Sequence, residues 1–211
     1  MKEVRVAKAQ PAATSDAQAG DRAGARYWTV PVVRAALALV PAAVITFTAD
    51  HAAQFGLLVF GAFALASGLF LAGMSWRTLG DPRERRLFAV QGAVGVVAGA
   101  LALALNGGGL GFFLYLVTVW AAVTGFLELY SGIRVRDRSA SARDWLVVGG
   151  LTAALSLAFL LLPPNAVVAV GLFGAYLVIV GVYLVIAGLS LKWASADAPT
   201  TAHPTNDSDP S

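Results

Sequence analysis

GLGFFLYLVTVWAAVTGFLELYSG, residues Gly109–Gly132, decides the fold. It is apolar almost throughout and exceeds the length, about 20 residues, that an α-helix needs to cross a hydrocarbon core about 30 Å thick. Five blocks of the same kind flank it: Trp28–Thr48, Ala53–Ser75, Leu87–Leu105, Trp145–Leu162 and Ala166–Leu191. Within all six the only formal charges are Arg34 and Glu128. Hydrocarbon offers no partner to a free backbone N–H or C=O, so each block must span as a helix. The runs are continuous rather than alternating, which excludes a transmembrane β-barrel. The expected fold is all-α: a polytopic membrane protein with six transmembrane helices.

Composition agrees. Hydrophobic residues make up 58% of the chain and charged residues 13%, with a mean hydropathy of +0.72, well outside the range of soluble domains. The basic pI of about 9.5 does not point to nucleic acid, because the basic residues sit in short connections between apolar blocks. There they act as topology signals and as contacts for anionic headgroups. The chain has no cysteine, which excludes disulfides, thiolate metal sites and thiol catalysis.

Lys2, Arg5, Lys8, Arg22 and Arg26 precede the first block. Arg77, Arg83, Arg85 and Arg86 fill the second connection, Arg134, Arg136, Arg138 and Arg143 the fourth, and Lys192 follows the last block. The connections around Asp50, Asn106 and Pro163 carry neither Lys nor Arg. The positive-inside rule then places both termini in the cytoplasm. Trp28, Trp76, Trp145 and Trp193 fall at the inner ends of their blocks, where indole rings favour the headgroup level. The tails, 1–26 and 193–211, are polar and Ala/Pro/Ser-rich and are expected to be disordered, flanking a membrane domain over 27–192. A cleaved signal peptide fits poorly, since the first apolar stretch starts late and leads directly into a second span.

Glycines reveal an internal repeat. The second block carries Gly61, Gly68 and Ser75; the fourth Thr118, Gly125 and Gly132; the sixth Gly174, Gly181 and Gly188. A step of seven returns small residues to nearly the same helix face, where they let backbones approach closely in lipid. The third block adds Gly95-Val-Val-Ala-Gly99, a GxxxG spacing. Three hairpins follow, at about 28–76, 86–133 and 145–192. Each holds two spans and so enters the membrane in the same orientation, predicting three parallel units around a pseudo-threefold axis along the membrane normal.

The segments QGAVGVVAGALALALNGGGLGFFLYLVTVWAAVTGFLELYSGI (91–133) and GGLTAALSLAFLLLPPNAVVAVGLFGAYLVIVGVYLVIAGLSL (149–191) resemble the short hairpin repeat of HdeD-type acid-resistance membrane proteins. The resemblance covers about residues 28–192. It implies a six-span inner-membrane protein linked to acid or general stress, with no catalytic residue to carry over. The turn proline of the repeat stands only in the third hairpin, at Pro163 and Pro164; the others have Asp50-His51 and Asn106-Gly107.

Polar residues inside the spans are functional candidates by default, because an intramembrane ion costs about 2.5–3.5 kcal/mol on insertion scales. Arg34 and Glu128 lie at similar depths from the inner ends of their blocks, and Gln91 holds in the second repeat the place of Arg34 in the first. A candidate layer therefore comprises Arg34, Gln91, Glu128 and Tyr130. Three readings stay open for it: a structural ion pair, two side chains snorkelling to the headgroups, or a proton or solute site. Pro41 is expected to bend the first helix, and Thr118, Thr124, Tyr176 and Tyr183 to bond between helices.

His51 lies in an outer turn and His203 in a tail, so they share no metal. Asn106-Gly107-Gly108-Gly109 lacks the lysine of a P-loop, and no HExxH, GxSxG or catalytic carboxylate pair occurs. No enzyme, metal or cofactor is expected. The leading reading is a non-enzymatic, stress-associated membrane protein. The alternatives are a small-solute channel or transporter, and an accessory subunit that meets a membrane-protein partner or a second copy through its glycine faces.

Overall fold

The computed structural model describes residues 28–78, 82–134, 136 and 142–196. The two tails and much of the basic connections lie outside these residues. Six helices make up the described chain: α1 Thr29–Phe47, α2 Ala53–Thr78, α3 Pro82–Ala104, α4 Gly109–Arg134, α5 Ala142–Leu161 and α6 Ala166–Ala196. All six are long and apolar enough to cross a membrane. Their outward faces carry Phe47, Leu69, Phe126, Ile133, Leu160 and Ile179. Such a girdle suits a lipid surround, since soluble monomers seldom expose contiguous apolar patches beyond a few hundred Å². The protein is a multi-pass membrane protein.

Short polar devices end the helices on the turn side. Between α1 and α2, Asp50 Oδ1 accepts from the Ala52 N–H at 2.8 Å. Between α3 and α4, Gly108 N–H donates to Leu105 O at 2.9 Å. Gly109 follows with φ +73°, a conformation that costs glycine nothing. Asn165 caps α6, its Oδ1 accepting from Val168 N–H at 3.1 Å. Gln54 Nε2 donates to Asn106 Oδ1 at 3.2 Å, tying the first turn to the second. On the opposite face, Lys192 Nζ lies 5.2 Å from the centroid of the Trp28 ring. The first and last described spans therefore meet at one end of the bundle, called here the terminal face.

The tightest pairs are not the sequential hairpins. They are α2 with α3, α4 with α5 and α6 with α1, each an even helix against the odd helix of the next repeat, and the last pair closes the ring. The glycine faces explain this choice. A Cβ added at Gly68 would stand 2.6 Å from Gly92 O and Val96 N, and one at Gly99 2.5 Å from Leu65 N, so α2 and α3 touch backbone to backbone. Gly61 faces Leu103 on the same seam. Between α4 and α5, Gly125 faces Ala153 N and Gly132 the Leu146 side chain. Between α6 and α1, Gly174, Gly181 and Gly188 receive Ile45, Leu39 and Val32. The first seam is glycine against glycine, whereas the last is glycine against branched side chains. Both work because van der Waals contact, not water release, holds helices together in lipid.

Candidate functional site

The even helices bring apolar rings to the centre. Phe60 and Phe63 of α2 meet Trp120 of α4 and Phe173 of α6 edge to face, with centroids 5.4–6.0 Å apart. Such geometry sets the positive edge of one ring on the negative face of the next. Phe113 adds a contact to Phe159 at 5.9 Å. Phe60, Phe113, Phe173, Val117 and Leu177 are fully buried. The half of the centre toward the turns is thus a solid aromatic plug.

Toward the terminal face the centre opens into a cavity of about 50 Å³. Its walls repeat. Phe63, Trp120 and Tyr176 line it at positions 57 and 56 apart, and so do Ser67, Thr124 and Val180, and Leu71, Glu128 and Leu184. On the odd helices Arg34, Gln91 and Val148, and Ala38, Gly95 and Thr152, recur at steps of 57. Corresponding residues of all three repeats surround one space, which therefore lies on the pseudo-threefold axis. The repeat supplies the cavity, and the departures from the repeat supply its chemistry. One position holds Arg, Gln and Val in turn; another holds Leu, Glu and Leu.

Arg34, Gln91 and Glu128 meet in this cavity. Arg34 Nη2 donates to Glu128 Oε1 at 2.7 Å, and Gln91 Nε2 donates to the same oxygen at 2.8 Å. Glu128 keeps 3% of its surface and Gln91 8%, while Arg34 keeps 18%. The pair joins α1 to α4 across 94 residues of sequence. Neither side chain snorkels away from the other. Glu128 Oε2 is buried and has no hydrogen-bond partner within the described protein. A carboxylate has about four acceptor sites, and leaving one oxygen bare in a dry interior costs about 1–3 kcal/mol or more.

Tyr130 is not part of the layer. It is 45% exposed, stacks on Phe126 at 6.4 Å and accepts from Arg134 Nη1 at 3.5 Å. Positions two apart on a helix point to opposite sides, so a tyrosine two residues after the inward Glu128 has to face outward. Two polar neighbours of the cavity carry more weight than composition alone suggests. Thr152 Oγ1 donates to Val148 O at 2.8 Å, so Tyr176 Oη is the donor in the 2.8 Å bond between them. Thr124 Oγ1 turns back to Trp120 O of its own helix at 2.7 Å, and Thr118 contributes its carbonyl, which accepts from Ser156 Oγ at 3.1 Å. Near the terminal face, Tyr183 Oη donates to Asp144 Oδ1 at 2.9 Å. Phe88 and Trp145 pair there at 4.8 Å in a small cluster of their own with Ala142 and Leu71. Pro41 stands inside an unbroken α1.

The family model described as a short repeat of unknown function (DUF308) matches residues 90–162. The middle of the chain is similar to that repeat, which is the repeat of HdeD-like membrane proteins. The matched stretch runs from within α3 to just past α5 and contains Gln91 and Glu128, with Arg34 outside it. No curated protein and no solved structure matches the chain. Among the described residues no group of His, Cys, Asp or Glu is placed to hold a metal ion.

Proposed function

We propose that this is a non-enzymatic inner-membrane protein of the HdeD-like kind that supports survival under acid or envelope stress. The likeness of residues 90–162 to the short repeat of that family carries the reading. The arrangement of the centre agrees with it. An aromatic plug with fully buried Phe60, Phe113 and Phe173 fills the half toward the turns, which disfavours a standing channel. The turns expose Asp50 and His51 and no Lys or Arg, so external acid changes few charges on that face.

In this reading both termini are cytoplasmic, since the Lys and Arg of the second and fourth connections and of the two tails fall by sequence order at the same ends of the spans. Reporter fusions after Asp50, Gly108 and Pro164 should report the outside, and fusions after Arg83, Ser139 and Thr200 the cytoplasm; a cytoplasmic signal at Gly108 overturns the topology. The functional test is survival of a deletion strain at low external pH. The expected outcome is a loss of survival restored by the wild-type gene and by His51→Ala. Unchanged survival across acid, osmotic and membrane stress would remove the stress reading. The transporter alternative, which the polar axial cavity favours, would then lead; flux of small solutes in proteoliposomes tests it.

A further inference from the structure

We propose that the groove between α1 and α2 is a binding site for an anionic phospholipid, with one acyl chain in the groove and the headgroup beside Lys192 at the terminal face. The inference goes beyond the stress reading and does not rest on it. The groove has a volume of about 640 Å³, and every residue that lines it is apolar. Val32, Ala36, Val40 and Val44 form its α1 side at steps of four, and Ala62 and Ala66 belong to its α2 side. Val40, Val44 and Leu58 stay exposed along it.

The hollow is a departure from the repeat. Where the first hairpin has Ala62 and Ala66, the second has Val119 and Val123, and the third has Ala175 and Ile179. Only the first hairpin sets two alanines one turn apart at these places, and the missing side-chain volume opens the wall of α2 toward α1.

Length and charge together select the occupant. From Val32 to Val44 the α1 wall runs about 18 Å at helical rise. That is close to the roughly 15 Å that one leaflet contributes to the hydrocarbon core. A spanning helix needs the full thickness and is roughly 10–12 Å across, so it would lie over the groove without filling it. At the terminal end, Trp28 stands one turn before Val32 in the same row of α1, and Lys192 stands one turn after Gly188, which abuts Val32. Lys192 Nζ lies 5.2 Å from the centroid of the Trp28 ring, which sets an ammonium just beyond the groove, where indole rings favour the headgroup level. Among the described residues no carboxylate pairs with Lys192. The turn end of the same hairpin offers Asp50 and neither Lys nor Arg, so a negative headgroup is drawn to one end and repelled from the other. A lysine near the surface favours an anionic lipid over a zwitterionic one by about fivefold.

The test is native mass spectrometry of the full-length protein in mild detergent, mixed with phosphatidylglycerol or phosphatidylcholine of identical acyl chains. One phosphatidylglycerol should be retained per chain, about fivefold more readily than phosphatidylcholine. Lys192→Gln should bring the two lipids level, whereas Arg134→Gln, at an exposed cation of α4, should leave the preference unchanged. Ala62→Val combined with Ala66→Val installs the side chains of the second hairpin and should lower retention of both lipids. Ala36→Leu, which fills the groove from α1, takes its place should that variant fail to fold. Equal retention of the two lipids by the wild type, or an equal loss of preference with Arg134→Gln, overturns the headgroup assignment. Unchanged retention after the groove is filled overturns the groove as the site. A dimer that disappears when the groove is filled would make a second copy the occupant and overturn the lipid.

Discussion

On the turn side of the axis Phe60, Phe63, Trp120 and Phe173 meet edge to face, whereas on the terminal side Arg34, Gln91 and Glu128 surround a cavity. Both regions are built from corresponding positions of the three repeats, yet they are held by different physics. The plug depends on shape: each ring gains only dispersion and quadrupole contacts, and lipid would solvate it almost as well as its neighbours do. The polar layer depends on pairing. Lipid offers the ions nothing, so Arg34 and Glu128 are stable in the membrane chiefly because they hold each other. Substitution should therefore be graded on the plug side and nearly all-or-none on the polar side.

The largest effect should come from breaking the pair. Arg34→Leu or Glu128→Leu alone leaves one buried charge unmatched and should cost about 3–5 kcal/mol, while the double variant recovers much of the loss. Unfolding of the purified protein in detergent measures both; strictly additive single and double effects would mean that the two residues act independently. On the plug side, Phe173→Ala should cost about 2 kcal/mol by the usual penalty per unit of cavity volume. No second substitution should rescue it in the all-or-none way expected of the pair. A loss from Phe173→Ala larger than that from Glu128→Leu would invert the comparison.

The seams between helices give a third, smaller test. Gly68→Ala places a methyl 2.6 Å from backbone atoms of α3 and should cost about 1–2 kcal/mol through forced separation of the helices. Gly150→Ala, with nothing within 4 Å, should be neutral or slightly stabilising; thermal midpoints of the two variants decide. Smallest of all should be Tyr130→Phe. Its hydroxyl is exposed and meets Arg134 only at 3.5 Å, so stability should stay within about 0.5 kcal/mol. A larger loss would bring Tyr130 back into the polar layer.

The readings made from sequence succeeded where a local rule governed and fell short where faces had to be assigned. Spans such as Gly109–Gly132 are readable because hydrocarbon leaves a long apolar block one option, the helix. α4 does extend two residues past that block, to Arg134, and α6 reaches Ala196, because a helix carries on into the headgroup layer when nothing there breaks it. Depth in the membrane groups Tyr130 with Glu128, whereas a spacing of two turns it to the other side of the helix. Thr152 and Tyr176 escaped as a pair because their contact joins two helices whose relative rotation no local pattern reveals.

By itself the sequence determined six helical spans, a threefold repeat and the placement of two intramembrane charges, since length, hydropathy and glycine spacing are each read one helix at a time. Tertiary structure alone decided that every even helix packs on the odd helix of the following repeat, with α6 closing on α1. It also decided that Arg34, Gln91 and Glu128 converge on one axial cavity with an oxygen to spare. Small residues specify that a helix can be approached closely but not by which neighbour. That choice follows only when six helices compete for the same contacts, and the choice of neighbour in turn aims each polar side chain at the axis or at the lipid.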